Sequence, residues 1–355
     1  MTPQFAAAIT SFTVAFLALP VIIKYSLQRN LVDIPGRRKI HKKVTPSMGG
    51  IAIFAGFFVS CFIWINWESL KSVKLIMVAM MAMFFLGLRD DMLSLRASAK
   101  LLIQTLVAMM VIFVFDFRID HLNHFLGINE IPLLISYVLT YLVIIIITNS
   151  FNLIDGLDGL AGMTAVISLS AYGIWFLLAG DVIFSVFAFA LLGGTSAFLF
   201  FNWQPSKIFM GDTGTLVIGM MLSILSIRFL NFNERMDMQS GIRFYAPIAA
   251  VIAFNIVALT DTVRIIIIRL LKGISPFTAD KRHIHHALIR LGWTHQKAVI
   301  TLACIQICFL FLVVVLRSFS EYVLLPLVLV IATLLSVALD RILLKRLSGK
   351  ENSPK

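Results

Sequence analysis

Five aspartates stand out, because the 355-residue chain holds only 18 acids in all. Asp90 and Asp91 are adjacent in Gly87-Leu88-Arg89-Asp90-Asp91. Asp155 and Asp158 are three apart in Asn149-Ser150-Phe151-Asn152-Leu153-Ile154-Asp155-Gly156-Leu157-Asp158-Gly159, and Asp212 lies in Phe209-Met210-Gly211-Asp212-Thr213-Gly214. One such Asp alone is ordinarily a helix cap or a solvated turn residue. Several together near membrane depth are costly and mark a site. Their oxygens suit a hard divalent cation such as Mg²⁺ rather than zinc, and Mg²⁺ prefers a site completed by phosphate. Gly156, Gly159, Gly211 and Gly214 either let backbone approach a ligand or adopt positive φ, or simply let helices pack closely.

A cationic segment complements the acids. Lys281-Arg282-His283-Ile284-His285-His286 puts three histidines within four residues, beside a lysine and an arginine. A phosphate- or nucleotide-contacting cluster fits better than zinc, since no cysteine is near; juxtamembrane charge meeting lipid is the plain alternative. An earlier basic run, Arg37 to Lys43, precedes Thr45-Pro46. Some of that run sets topology, and Lys43, beside the turn, is assigned to the site. His121 and His124 need no explanation beyond a solvated loop.

The elements that must position these groups are membrane helices. With 59% apolar residues, 14% charged residues and a mean hydropathy of +0.95, the chain cannot be disordered, a disulfide scaffold or a water-soluble enzyme. Apolar runs near 4–24, 49–67, 73–88, 101–117, 131–150, 160–179, 182–201, 214–232, 244–270, 298–316 and 322–339 predict about eleven transmembrane helices in an all-α polytopic protein. Residues 1–347 form a single catalytic domain, and 348–355 a flexible tail. The first run lacks a preceding basic residue, so it is expected to be retained with the N-terminus outside. That orientation puts 23 Lys/Arg on the cytoplasmic side against seven outside, and the C-terminus is then cytoplasmic. All five aspartates fall on the cytoplasmic side. The net charge of +12 is therefore explained by cytoplasmic loops and lipid head groups, with no nucleic acid. Cys61, Cys304 and Cys308 lie inside apolar runs and need no disulfide or metal.

A cytoplasm-facing cleft with acids, a divalent metal and a basic rim fits phosphoryl transfer at the membrane interface. In this order the motifs, from about Pro35 to His286, resemble the polyprenyl-phosphate N-acetylhexosamine-1-phosphate transferase family (glycosyltransferase family 4). The resemblance implies transfer of a sugar 1-phosphate from a UDP-N-acetylhexosamine to undecaprenyl phosphate at a bacterial inner membrane. UMP is released and Mg²⁺ is required, with Mn²⁺ an alternative. It also implies residue roles. Asp90 and Asp91 match paired aspartates that position or deprotonate the lipid phosphate, Asp90 being the usual candidate. Asp212 matches the Mg²⁺ ligand. Asn152, Asp155 and Asp158 match a triplet near the metal, the diphosphate and the uridine, so Asp155 joins the metal set. Asn149 lies one turn before that triplet and is taken with it as substrate-binding. Asn202 and Phe209 match uracil contacts. Lys43 and Lys100 match basic positions, while His283, His285 and His286, with Arg282, match a histidine loop in which His283 is catalytic.

Two departures point within the family. His-Ile-His-His replaces an uninterrupted histidine triplet, and Ser94 stands where the phospho-MurNAc-pentapeptide enzyme has a lysine. The histidine pattern resembles the WecA/TagO-like branch, which starts lipopolysaccharide or teichoic-acid synthesis, and favours UDP-GlcNAc over UDP-MurNAc-pentapeptide; at Ser94 a basic contact of the pentapeptide enzyme is absent. Another UDP-sugar, an aspartyl-phosphate intermediate and a homodimer all stay open. A transporter is the rival of another class; it would place ionisable groups near the midplane, where Asp261 is a partial exception.

Overall fold

The computed structural model describes residues 2–29, 32–33, 45–66, 71–122, 131–271, 273 and 283–351. Helices cover every expected apolar run. In chain order they are α1 (Pro3–Gln28), α2 (Gly49–Trp64), α3 (Lys71–Leu93), α4 (Ala97–Met109, continued by a π turn Met110–Val114), α5 (Leu133–Leu153) and α6 (Leu160–Leu178). There follow α7 (Val182–Asn202), α8 (Gly211–Glu234), α9 (Pro247–Phe254), α10 (Ile256–Leu271), α11 (Ile284–Arg290), α12 (His295–Val315) and α13 (Glu321–Glu351). Eight of these are long and apolar enough to cross a membrane, and nine if α9 and α10 count as one span. The apolar helix α2, at 16 residues, is shorter than those eight spans. The backbone of α13 continues past the Ser348 boundary expected for the tail, and 352–355 lie outside the described residues. Two β-strands, β1 (Val32–Asp33) and β2 (Thr45–Pro46), pair antiparallel and are the one non-helical feature among the described elements.

The centre of the bundle is α8. Its sequence alternates branched apolar residues with Gly, Ser and Thr, so it can be enclosed on all sides, and α2, α3, α5, α6, α7 and α9 pack on it. By contrast α1 and α13 leave Leu17, Val21, Val330 and Leu334 exposed, as lipid-facing helices do. Several polar side chains inside this packing bond to one another or to backbone. Tyr172 Oη lies 2.7 Å from Ser226 Oγ, and its ring meets Phe254 edge-on with centroids 5.0 Å apart.

The run 244–270 is not one straight span as expected. It breaks by 87° at Asn255, between α9 and α10. The carbonyl of Phe254 freed there accepts from Ser168 Oγ (2.7 Å) and Gln306 Nε2 (2.9 Å), and Asn255 Nδ2 donates to Tyr172 Oη (3.0 Å). A break at membrane depth is tolerated when neighbouring helices satisfy the released groups.

Candidate active site

The site is built on the first turn of α8. Gly211 opens that turn with φ +71°, a conformation that disfavours any side chain; a Cβ there would stand 2.2 Å from Ser47 O. The start of α2 and the end of α3 meet this turn backbone to backbone. A Cβ on Gly50 would lie 2.1 Å from Gly214 N, and one on Gly87 2.4 Å from Asp212 O. Of the two roles open to the glycines, Gly214 therefore serves helix approach, and Gly211 and Gly159 (φ +84°) serve positive φ.

Because α3 comes so close, Asp91 reaches across it. Its carboxylate accepts from Asp212 N (2.7 Å), Thr213 N (2.9 Å) and Thr213 Oγ1 (2.5 Å). It is a cap supplied to α8 by another helix, and each such bond to a charged acceptor contributes about 1.5–3 kcal/mol. Asp90, one residue earlier, lies about 100° round the helix and faces elsewhere. It accepts from Leu95 N (2.5 Å) and pairs with Lys100 Nζ at 3.0 Å. The two adjacent aspartates thus do different work.

Lys100, in the first turn of α4, is the node. Its ammonium also reaches Asp212 Oδ2 (2.7 Å) and Asn152 Oδ1 (3.3 Å). Asn152 at the end of α5 donates to Asp212 Oδ1 and to Thr215 Oγ1 (2.7 Å). Four helix ends, from α3, α4, α5 and α8, thereby converge through side chains separated by up to 122 residues. One turn before Asn152, Asn149 donates to Gln104 Oε1 (2.8 Å) and Ile145 O (2.9 Å), tying α5 to α4.

The turn between α5 and α6 carries the remaining acids. Loss of surrounding water, then the negative charges of Asp212, Asp91 and Asp158, push Asp155 up to about 7. Asp158 turns the other way, accepting from Ser206 N (3.4 Å) and facing His295 Nδ1 at 4.0 Å. Asn202 is buried, and both ends of its amide are used on backbone: Gly159 N donates to it (2.8 Å) and it donates to Ile208 O (2.8 Å). It fixes the two loops that border the site. Phe209 is half-buried; its N–H bonds Pro46 O (2.7 Å) and its carbonyl receives Gly49 N (2.9 Å), which seats β2 against this region.

His283 is held apart from the lysine node. Its Nδ1 lies 2.8 Å from Asp261 Oδ2, and the other oxygen of Asp261 accepts from Ile284 N (2.7 Å). Asp261 therefore anchors the start of α11 instead of marking a transport path. His285 and His286 fall in the first turn of α11 by backbone, whereas Lys43 and Arg282 lie outside the described residues. Sequence reasoning missed Thr213, Thr215, Gln104 and Asp261 as partners. Thr213 and Thr215 were marked only by their place beside Asp212 in Gly-Asp-Thr-Gly-Thr.

Can these residues hold a divalent cation? The donors are oxygens, the carboxylates outnumber the lysine that touches them, and the negative charges of Asp212, Asp91 and Asp158 add to burial in raising Asp155. Among the described residues no three His, Cys, Asp or Glu side chains converge into a ready-made cage. One or two carboxylates, completed by water and phosphate, is the arrangement Mg²⁺ favours. The set fits, with Asp212 and Asp155 as the candidate ligands.

Comparisons with known proteins agree with this picture. Residues 73–230, the stretch holding Asp90 to Asp212, match the model of glycosyl transferase family 4. A probable undecaprenyl-phosphate N-acetylglucosaminyl 1-phosphate transferase of Bacillus subtilis is 33% identical over 320 residues, covering 88% of this chain and 84% of that protein. The undecaprenyl-phosphate alpha-N-acetylglucosaminyl 1-phosphate transferase of Yersinia pestis is 32% identical over 302 residues (82% and 78%). Its namesake in Escherichia coli K12 is 30% identical over 290 residues (79% and 75%).

Proposed function

The chain belongs to glycosyl transferase family 4 as a multi-pass sugar-phosphate transferase, and from that premise we propose that it moves N-acetylglucosamine 1-phosphate from UDP-GlcNAc to undecaprenyl phosphate. The observation that carries the reading is the Lys100 node, where Asp90, Asn152 and Asp212 from separate helices share one ammonium group. An oxygen of the lipid phosphate attacks the β-phosphorus of the nucleotide sugar. The bond from that phosphorus to the bridging oxygen breaks, and UMP leaves with the electron pair. Lys100 holds phosphate oxygens as charge shifts among them, and Asp90 orients the attacking phosphate and takes its proton if one is present. Mg²⁺ bound by Asp212 and Asp155 would neutralise charge on the diphosphate and the leaving group. Catalysis is then mainly positioning and electrostatics, as phosphoryl transfer generally is.

The reading extends to topology. We place eleven crossings in the bilayer, the N-terminus outside and the site at the cytoplasmic face of a bacterial inner membrane, feeding envelope polysaccharide synthesis. The 23-to-seven split of basic residues supports that orientation. So does the gathering of the site on one end of the bundle, where α2, α4 and α8 begin and α3, α5 and α7 end. The test is purified protein with undecaprenyl phosphate, Mg²⁺ and a panel of UDP-sugars, scored by UMP release. Turnover that is fastest with UDP-GlcNAc is expected. Turnover only with UDP-MurNAc-pentapeptide, or none with any UDP-sugar, overturns the proposal.

A further inference from the structure

The start of α12 makes a contact that the catalytic reading leaves unexplained. His295 is mostly enclosed, its side chain 17% exposed, and its Nδ1 is shut off from solvent without a hydrogen-bond partner. The acid it faces is Asp158, with Oδ2 at 4.0 Å, and that same oxygen receives Ser206 N at 3.4 Å. The next residue points to the same region: Gln296 N donates to Gln204 Oε1 (3.3 Å), and its side chain reaches Gln204 O (3.5 Å). A histidine needed only for packing would leave its ring nitrogens in water or bond them locally, because a buried unpaired donor costs about 1–3 kcal/mol. Here the donor is buried facing a carboxylate, a little too far to bond. Such gaps are common before substrate binds and close in the working complex.

We propose that His295 is a positioning residue for the transferase reaction. By donating Nδ1–H to Asp158 it pins three segments together: the start of α12, the turn carrying Asp155, and the 203–206 stretch. The pairing also links the two parts of the site that the lysine node leaves separate. The helix α11, whose first residue follows His283, passes through Trp293, whose N–H bonds Leu288 O (3.2 Å), directly into α12. The proposal rests on the transferase reading for its kinetic assay only.

The test uses full-length protein in detergent. H295F keeps the ring volume but cannot donate, H295N can donate from nearly the same place, and D158N removes the acceptor charge. H295F is expected to lower kcat about tenfold with little change in KM for the UDP-sugar, and H295N to recover most of the loss. D158N combined with H295F should be no slower than the worse single variant, because coupled residues do not add. Independently of turnover, the amides of 154–159 and of Trp203, Gln204 and Ser206 should exchange with deuterium faster in H295F. Wild-type rates in H295F, or losses that multiply in the double variant, overturn the proposal. So does unchanged exchange, which decides the matter even if no UDP-sugar is turned over.

Discussion

The two ends of the bundle handle charge in opposite ways. At the end away from the site, acids and arginines come in matched sets. Arg228 Nε lies 2.8 Å from Asp181 Oδ2, with its guanidinium over Phe184 and Phe232 (4.8 and 5.1 Å). Arg118 holds Asp120 (2.8 Å) and Asp116 (3.0 Å), and Arg243 lies 3.5 Å from Glu234. A cavity of about 520 Å³ opens there, and the acids around it, Asp116, Asp120 and Asp181, each have an arginine partner in Arg118 or Arg228. At the site end, Asp90 and Asp212 share Lys100, while Asp91 and Asp155 are in ion-pair contact with no lysine or arginine among the described residues. The matched end is held for structure. The unmatched end keeps an excess of negative charge that the proposed cation would meet, and the substrate phosphates would then bind that cation and Lys100.

Substitutions at each end sharpen that contrast. The largest effect is expected at the node: D212N should reduce UMP release by about 10²–10³-fold, the scale for losing one preorganised electrostatic contact, while thermal unfolding in detergent changes little. Retention of full activity would break the contrast outright. G211A comes next. A side chain at φ +71° that also overlaps Ser47 O should cost about 1–3 kcal/mol and displace the cap made by Asp91, lowering both the melting temperature and kcat.

The pH profile gives a smaller effect. Burial and neighbouring acids push Asp155 up to about 7 before a cation binds, so the rate at sub-saturating Mg²⁺ should rise as pH increases through that region and the carboxylate forms. D155N, which cannot ionise, should flatten that limb to a low constant rate. Steady-state kinetics between pH 5.5 and 8.5 would show it. The smallest change in activity is expected at the far end. R228M strands the buried Asp181 and should lower the melting temperature by several degrees, with kcat within about twofold of wild type. If R228M abolished turnover, the far end would belong to the catalytic machinery after all.

The helices were legible because the bilayer leaves so few options for an apolar run. So was the convergence of the aspartates on one end, which follows from counting helices and basic residues. What sequence could not separate was Asp90 from Asp91. Both stand in one dipeptide, and only the approach of α3 to α8 through Gly87 decides which one caps and which one faces Lys100. The pairing of His283 with Asp261 was hidden for the same reason, since it depends on where α10 lies. The break at Asn255 carries neither Pro nor Gly; its only sequence mark is one amide side chain inside an apolar run. Asn202 is instructive as well. Its amide accepts from Gly159 and donates to Ile208, a role that needs both loops in place before it can be seen.

The bend at Asn255 acts as a bracket rather than a joint. Ser168 and Tyr172 on α6 and Gln306 on α12 grip it from two neighbours, so its angle is set by side chains that touch no reacting group. Asp261 sits six residues along the outgoing arm, about 9 Å at 1.5 Å per residue. A tilt of about 10° at the elbow would carry it, and the histidine it holds, sideways by about 1.5 Å. Displacements of that size are enough to slow an enzyme about a hundredfold.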